Sequence, residues 1–118
     1  MKPRPFLIWK KTCDTCRRFK AELEAAGVDF ADRELNAQPL NAAELAELMG
    51  ERPVKDFLNT RNELYRERGL AKNPPDRATA ISLIAEHNNL LRRPVFVVGD
   101  TVLTGNDLPG AKRLLGLS

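Results

Sequence analysis

The chain has 118 residues, of which 42% are hydrophobic and 30% are charged, and 19 Lys and Arg against 16 Asp and Glu leave a net charge of +3. This length fits one domain, predicted to span residues 1–118, and the apolar content excludes disorder as the main state. The longest apolar runs, Phe6 to Trp9 and Val95 to Val98, are much shorter than the ~20 residues of a membrane-spanning helix. So small a charge surplus excludes a nucleic-acid footprint. We expect a cytoplasmic monomer that binds neither membranes nor nucleic acid directly.

The first third of the chain predicts a strand, a helix and a second strand. The short apolar run Phe6 to Trp9 is typical of a buried strand. A helix is predicted from Cys13 to a stop at Gly27, because apolar residues recur on one face of it. Partial alternation predicts the second strand over Val28 to Leu35. The apolar residues of the helix are Cys16, Phe19, Leu23 and Ala26.

The middle of the chain predicts a short helical turn from Pro53 through Phe57 and Leu58 and, around it, three longer helices. Each longer helix begins after a polar residue whose side chain can accept a backbone hydrogen bond, and in the first two a glutamate three residues later completes a capping box. The predicted N-caps are Asn41, Thr60 and Asp76. The third helix is expected to bury Ile81, Ile84 and Ala85 on one face. Together they form a helical insertion over about residues 41–88.

The last quarter of the chain predicts a hairpin and a helix. Val95 to Val98 and Thr101 to Leu103 are apolar runs joined by the two-residue turn Gly99-Asp100, which is typical of a β-hairpin. Asp107 can cap a final helix. The order β-α-β, helical insertion, β-β-α predicts an α/β fold with a small mixed sheet of about four strands and helices on its faces.

Two cysteines, Cys13 and Cys16, lie at the turn between the first strand and the first helix. Unpaired backbone N–H groups and the helix dipole favour an anion there, so a thiol pKa is lowered. Cys16 shares the apolar face with Phe19 and should be the more buried thiol. Cys13 is then the exposed nucleophile, and Cys16 is close enough to resolve a mixed disulfide.

Two other interpretations of the cysteines compete with redox chemistry. A structural zinc site needs about four ligands, and the chain offers only this pair and the single His87, so we expect no metal. The two cysteines could instead be inert small hydrophobic residues, since free cysteine is often simply buried. A Cys-x-x-Cys sequence beside a βαβ pattern favours redox chemistry over both. Considered alone, Arg61 and Arg93 would be solvated surface arginines, and Pro94 an ordinary start of a strand.

Three segments together carry a family resemblance: Thr12-Cys13-Asp-Thr-Cys16, Asn59-Thr60-Arg61 before a helix, and Arg93-Pro94-Val before a hairpin. In this order the chain resembles the ArsC/Spx family, which has a thioredoxin-like fold with a helical insertion, and the resemblance covers nearly the whole chain. It implies that Cys13 is the catalytic thiol, that Arg61 and Arg93 help to bind an oxyanion beside it, and that the bond before Pro94 is cis. We expect Thr12, Arg61, Arg93 and Pro94 to bind the substrate.

The resemblance implies a thiol-dependent reductase that binds no cofactor and uses glutathione, a glutaredoxin or a thioredoxin as electron donor. Its substrate would be a small oxyanion or a disulfide. One alternative is a glutaredoxin-coupled arsenate reductase, although Asn106 stands where the arsenate reductases carry an arginine after the glycine matching Gly105. The other is a Spx-like redox-sensing regulator that binds the C-terminal domain of the RNA polymerase α-subunit, because a cysteine matching Cys16 is typical of such regulators.

Overall fold

The computed structural model describes residues 4–117, so the first three residues of the predicted domain and its last lie outside the described part. The contacts within the chain form two compact units. The first unit contains the described residues up to Gln38 and those from Arg93 onward, and the second is Pro39–Arg92. Within residues 4–117, no helix is long and apolar enough to cross a membrane.

The first unit contains a four-stranded mixed sheet. Its strands are β1 Phe6–Trp9, β2 Ala31–Glu34, β3 Val95–Val98 and β4 Thr101–Thr104, in the order β2-β1-β3-β4. β1 pairs parallel with β2 and antiparallel with β3, and β3 continues into β4 through a two-residue turn. Gly99 in this turn has φ of +60°, which glycine adopts at little cost. The predicted mixed sheet and its closing hairpin are confirmed.

Residues 4–117 contain five α-helices. They are α1 Asp14–Ala25, α2 Ala42–Met49, α3 Glu63–Glu67, α4 Arg77–Glu86 and α5 Leu108–Leu114. Two short 3-10 helices, Val54–Phe57 and Asn88–Leu90, lie in the second unit. The order β-α-β, helices, β-β-α matches the prediction, and the α/β thioredoxin-like fold class is confirmed.

Apolar residues of both strands and helices form the core of the first unit. The cluster consists of Leu7, Phe19, Leu23, Phe96 and Ala111, and Trp9, Val28 and Phe30 pack against it among others. The rings of Phe19 and Phe96 meet edge to face with centroids 5.7 Å apart. This is a favourable aromatic geometry. Cys16, Phe19 and Leu23 are buried on α1 as the sequence predicts, whereas Ala26 follows the helix as its C-cap and is exposed.

The second strand begins later than predicted, at Ala31 and not at Val28. Gly27 has φ of +74° and donates to the Glu24 carbonyl, while Val28 donates to the Leu23 carbonyl at 3.0 Å. This pair of bonds is a Schellman motif, which satisfies the last carbonyls of α1. Val28 therefore still belongs to the helix end and is not available to pair with β1.

The second unit confirms two predicted helix starts and corrects the third. The Asn41 side chain accepts from the Glu44 amide at 2.9 Å, and the Glu44 carboxylate accepts from the Asn41 amide at 3.1 Å, which completes the predicted box. Asp76 caps α4 by accepting from the Thr79 amide at 2.8 Å. The N-cap of α3 is Asn62, which accepts from the Leu64 amide, and not Thr60. The physical reason is a turn that holds Thr60 ahead of the helix.

The turn before α3 is closed by Asn59. Its carbonyl accepts from the Asn62 amide at 3.1 Å, and its side chain accepts from the Arg61 amide at 3.1 Å. Thr60 and Arg61 are therefore turn residues, and the helix begins two residues later than its apparent capping box.

The buried face of α4 also differs in part from the prediction. Ala80, Leu83 and Ile84 are buried, whereas Ile81 and Ala85 are only partly buried. α4 carries apolar residues on more than one side, so their spacing alone does not determine which side is buried.

Candidate thiol site

Cys13 occupies the N-cap position of α1. Its own amide donates to the Lys10 carbonyl at 3.0 Å, which closes the turn after β1. Its sulfur accepts a hydrogen bond from the Cys16 amide at 3.3 Å. A thiol here replaces the Ser, Thr, Asp or Asn that usually satisfies the free amides of a helix start. The sulfur therefore lies at the positive end of the helix, as the sequence predicts, whereas its catalytic role stays a prediction.

Several groups act in opposite directions on the pKa of Cys13. Partial burial raises it, but hydrogen bonds from the Cys16 thiol and the Cys16 amide lower it. The positive charge of Arg93 and a hydrogen bond from its side chain lower it further. The net result is a pKa below the ordinary value for cysteine. Hydrogen bonds to the ionised form and a nearby cation are the usual causes of such a shift.

Cys16 has the opposite character. Its side chain is 0% exposed, which confirms that it is the more buried of the two free cysteines. Burial, a hydrogen bond with Cys13 and the charge on Cys13 raise its pKa to about 12, although the Lys10 amide and the Arg93 charge act against this. The first proton of the pair is therefore lost from Cys13, and Cys16 keeps its own.

Arg93 is the predicted substrate-binding residue that the structure brings to the thiols. It is partly buried two residues before β3, and its charge acts on both sulfurs. The bond between Arg93 and Pro94 is cis, as the resemblance implies. Pro94 is buried, and its carbonyl accepts from the Gly105 amide at 2.8 Å. Asn106, the next residue, is exposed.

The remaining predicted residues differ in location. Thr12 is exposed in the turn directly before Cys13. Arg61 is an exposed residue of the second unit, in the turn before α3, and its part in oxyanion binding stays a prediction. His87 is exposed, with a ring nitrogen 3.9 Å from the Glu86 carboxylate. Across residues 4–117, no three His, Cys, Asp or Glu side chains form a group that could hold a metal ion.

Glu34, at the end of β2, lies next to the site and is not among the site residues predicted from the sequence. Its carboxylate accepts the Lys11 amide at 2.9 Å and the Ala37 amide at 2.9 Å. Slight burial raises its pKa, but the amides of Lys11, Asn36 and Ala37 lower it below the ordinary value. The available signal was an acidic residue at the carboxyl end of a strand parallel to β1.

A cysteine at the start of the first helix, an arginine acting on its sulfur and a β-α-β, helical, β-β-α order define a class of thioredoxin-like thiol proteins. Residues 8–109 match the model of the ArsC family, and the chain belongs to that family.

Individual relatives agree with this assignment. The global transcriptional regulator Spx of Bacillus subtilis is 26% identical over 111 residues, which are 92% of this chain and 85% of the relative. Among solved structures, an ArsC family related protein from Bacteroides fragilis superposes with a TM-score of 0.79 at 24% identity, covering 95% of this chain and 98% of the other. An arsenate reductase from Vibrio cholerae gives a TM-score of 0.78 at 21% identity, with 98% of both chains covered. The two structures show the shared fold.

Proposed function

We propose that this chain is a thiol-dependent reductase whose nucleophile is Cys13. The observation that carries the proposal is the environment of the Cys13 sulfur, which combines the Cys16 amide at 3.3 Å with the charge and hydrogen bond of Arg93. Hydrogen bonds and a cation of this kind increase the fraction of the thiol that is ionised, and the thiolate is the reactive form. A buried pair of inert cysteines would need neither the cap position nor the cation.

The chemistry is thiol–disulfide exchange. The Cys13 thiolate attacks one sulfur of a substrate disulfide, forming a new S–S bond, and the other substrate sulfur departs as a thiolate that takes a proton from water. A glutathione thiolate then attacks the mixed disulfide, releasing Cys13 as a thiolate. With a glutathionylated substrate, Cys13 attacks the glutathione sulfur and the substrate leaves as a thiol. One free glutathione is then consumed to form glutathione disulfide, so the substrate sulfur is reduced as the sulfur of that glutathione is oxidised.

Glutathione is favoured over Cys16 as the second thiol in this cycle. Cys16 is fully buried, and this burial, the first cause of its raised pKa, persists when Cys13 is bonded in a mixed disulfide. An external thiol does not meet this barrier. Cys16 then contributes mainly through its amide and its S–H group, which stabilise the charge on Cys13.

A small oxyanion is the second substrate class that the site supports. Guanidinium groups bind tetrahedral oxyanions through charge-assisted hydrogen bonds, and Arg93 already lies at the thiol. We include Thr12, which directly precedes Cys13, and Pro94, which directly follows Arg93, among the residues that bind the substrate. Arg61 is carried into this role by the family resemblance alone.

The test measures turnover of a glutathionylated peptide by the protein with excess glutathione. We expect Cys13→Ser to lose at least about 100-fold in rate, because serine at this position is not ionised at neutral pH. Cys16→Ser is the matched control and should keep most of the activity. Alkylation of Cys13 by iodoacetamide should follow a pKa below the ordinary thiol value of ~8.5.

Retained turnover in Cys13→Ser, or alkylation of Cys13 with an ordinary pH profile, would contradict the proposed function. Arsenate replaces the peptide in a parallel assay with glutathione and glutaredoxin. Reduction of arsenate that disappears in Cys13→Ser assigns the oxyanion substrate. Its absence, with the peptide activity present, leaves the disulfide as the substrate class.

A redox-sensing regulator is the second candidate, and one observation favours it. The curated relatives named global transcriptional regulator Spx are 26% to 28% identical to this chain. In this function the cysteine pair would control binding to the C-terminal domain of the RNA polymerase α-subunit. The test passes the same protein preparation, once reduced and once oxidised, over the immobilised C-terminal domain of the α-subunit and measures how much protein is retained. Retention in either state, together with no turnover of either substrate, would favour the regulator.

A further inference from the structure

The carboxylate of Glu34 joins β2 to the turn that carries the thiols. Glu34 is the parallel register partner of Trp9, the last residue of β1. One of its oxygens accepts the Lys11 amide at 2.9 Å, and the other accepts the Ala37 amide at 2.9 Å. Both carboxylate oxygens are therefore used by backbone groups, one in the turn before Cys13 and one after β2.

The turn held in this way makes direct contact with both cysteines. The Lys10 carbonyl accepts the Cys13 amide at 3.0 Å, and the Lys10 amide donates to the sulfur of Cys16. Lys11, whose amide Glu34 binds, lies next to Lys10 and two residues before Cys13. A change in this turn would move the start of α1, and with it the amide that reaches the Cys13 sulfur.

The geometry points to Glu34 as a positioning residue of the thiol site: by binding the Lys11 amide, its carboxylate fixes the Lys10–Thr12 turn and so keeps the Cys13 sulfur on the Cys16 amide. This inference rests on the proposed function, in which Cys13 reacts as a thiolate. Glu34 acts on the thiol site through the backbone of the Lys10–Thr12 turn and not through its own contact with either sulfur.

The direction of the effect separates positioning from simple electrostatics. Glu34 carries a negative charge, which by itself disfavours a second negative charge on Cys13. Removing that charge would therefore make the thiolate easier to form. Loss of the turn has the opposite effect, because the hydrogen bonds to the sulfur lengthen. A slower reaction of Cys13 in a Glu34 variant thus identifies the positioning role.

Two substitutions and one control test the inference. Glu34→Ala removes both acceptor oxygens. Glu34→Gln keeps the shape but leaves one oxygen, so only one of the two amides retains an acceptor. Asp32→Asn is the matched control, because this carboxylate lies on the same strand and accepts the Trp9 indole N–H at 2.7 Å. It removes an equal charge without touching the turn.

The first readout is the iodoacetamide alkylation rate of Cys13 at about pH 6, followed by mass spectrometry. We expect a fall of roughly three- to tenfold in Glu34→Ala and a smaller one in Glu34→Gln, with Asp32→Asn unchanged or faster. The second readout is hydrogen exchange at the Lys11 amide. It should become about tenfold faster in Glu34→Ala, which loses the hydrogen bond, and faster by a smaller factor in Glu34→Gln, which loses its charge.

The outcomes separate the two proposals. Wild-type Cys13 that alkylates as an ordinary cysteine overturns the proposed function and, with it, the role of Glu34. A readily alkylated wild-type Cys13 whose rate is unchanged or increased in both Glu34 variants overturns only the role of Glu34. Should Glu34→Ala not fold, Glu34→Gln decides by the same two readouts.

Discussion

At the scale of single residues, the two cysteines show how position along one helix turn determines reactivity. Cys13 is partly buried at the cap and receives hydrogen bonds, whereas Cys16 is three residues later on the core face. Burial raises the pKa of a thiol, and hydrogen bonds to the thiolate lower it. Burial dominates at Cys16, and the polar contacts outweigh it at Cys13.

Arg93 provides the residue-scale prediction. We expect Arg93→Gln to raise the pKa of Cys13 and to slow its alkylation at neutral pH by roughly three- to tenfold, because both a charge and a hydrogen bond are lost. Arg92→Gln is the matched control, because Arg92 is an exposed neighbour of Arg93 and the substitution removes the same net charge. Timed alkylation with iodoacetamide, quenched and repeated at several pH values, measures the pKa of Cys13 and its alkylation rate. Equal effects of the two substitutions would show that only the total charge matters.

At the scale of elements, hydrogen bonds at helix ends determine where the helices of this chain begin. Asn41, Asp76 and Asp107 each accept a hydrogen bond from the backbone amide three residues later, and all three caps can be predicted from the sequence. The start of α3 could not be predicted in the same way. Thr60 and Asn62 are both good caps, and the choice depends on the Asn59 turn.

This competition gives a prediction for α3. Asn62→Ala should lower the free energy of unfolding by about 0.5–1 kcal/mol, because the Leu64 amide loses its acceptor. Thr60→Ala is the matched control and should stay within about 0.5 kcal/mol of wild type, since Thr60 lies in the preceding turn. Urea unfolding measures both. A larger loss in Thr60→Ala would mean that the capping box apparent in the sequence forms after all.

The candidate site divides in the same way into predictable and unpredictable parts. The location of Cys13 at the helix start follows from the order of apolar and polar residues in the chain. That Arg93 lies at Cys13 can be predicted only from the family resemblance. The two residues are 80 positions apart, and the pairing of β1 with β3 brings them together. The position of Glu34 beside the thiol turn depends on its parallel pairing in register with Trp9. The alternation of residues in a four-residue strand does not specify this register.

At the scale of the whole molecule, the two thiols make the stability of the fold depend on pH in opposite directions. The folded pKa of Cys13 is lowered, so its contribution is present above the unfolded thiol pKa and is lost as the pH falls through the folded value. The pKa of Cys16 is raised to about 12, so its contribution is present below the unfolded pKa and is lost as the pH rises toward that value.

We therefore expect the thiol contribution to stability to be greatest near the ordinary thiol pKa, about 8.5. Thermal unfolding of the reduced protein across the pH range measures it. Cys13→Ser should remove the rise in stability between neutral pH and that maximum, since serine can still cap the helix but does not titrate. Cys16→Ala should remove the fall on the alkaline side. The same profile in wild type and both variants would contradict the assigned pKa directions.

The hydrogen bond between the two cysteines also sets the order in which they can react. A thiol of low pKa is a good leaving group, so a disulfide at Cys13 is readily broken at that sulfur. While Cys13 is bonded in such a disulfide it carries no charge, and its charge and hydrogen bond no longer raise the pKa of Cys16, leaving burial as the main cause. Cys16 thus becomes easier to ionise only after Cys13 has reacted. In the free protein, the Cys13 thiolate keeps the second thiol protonated and therefore unreactive.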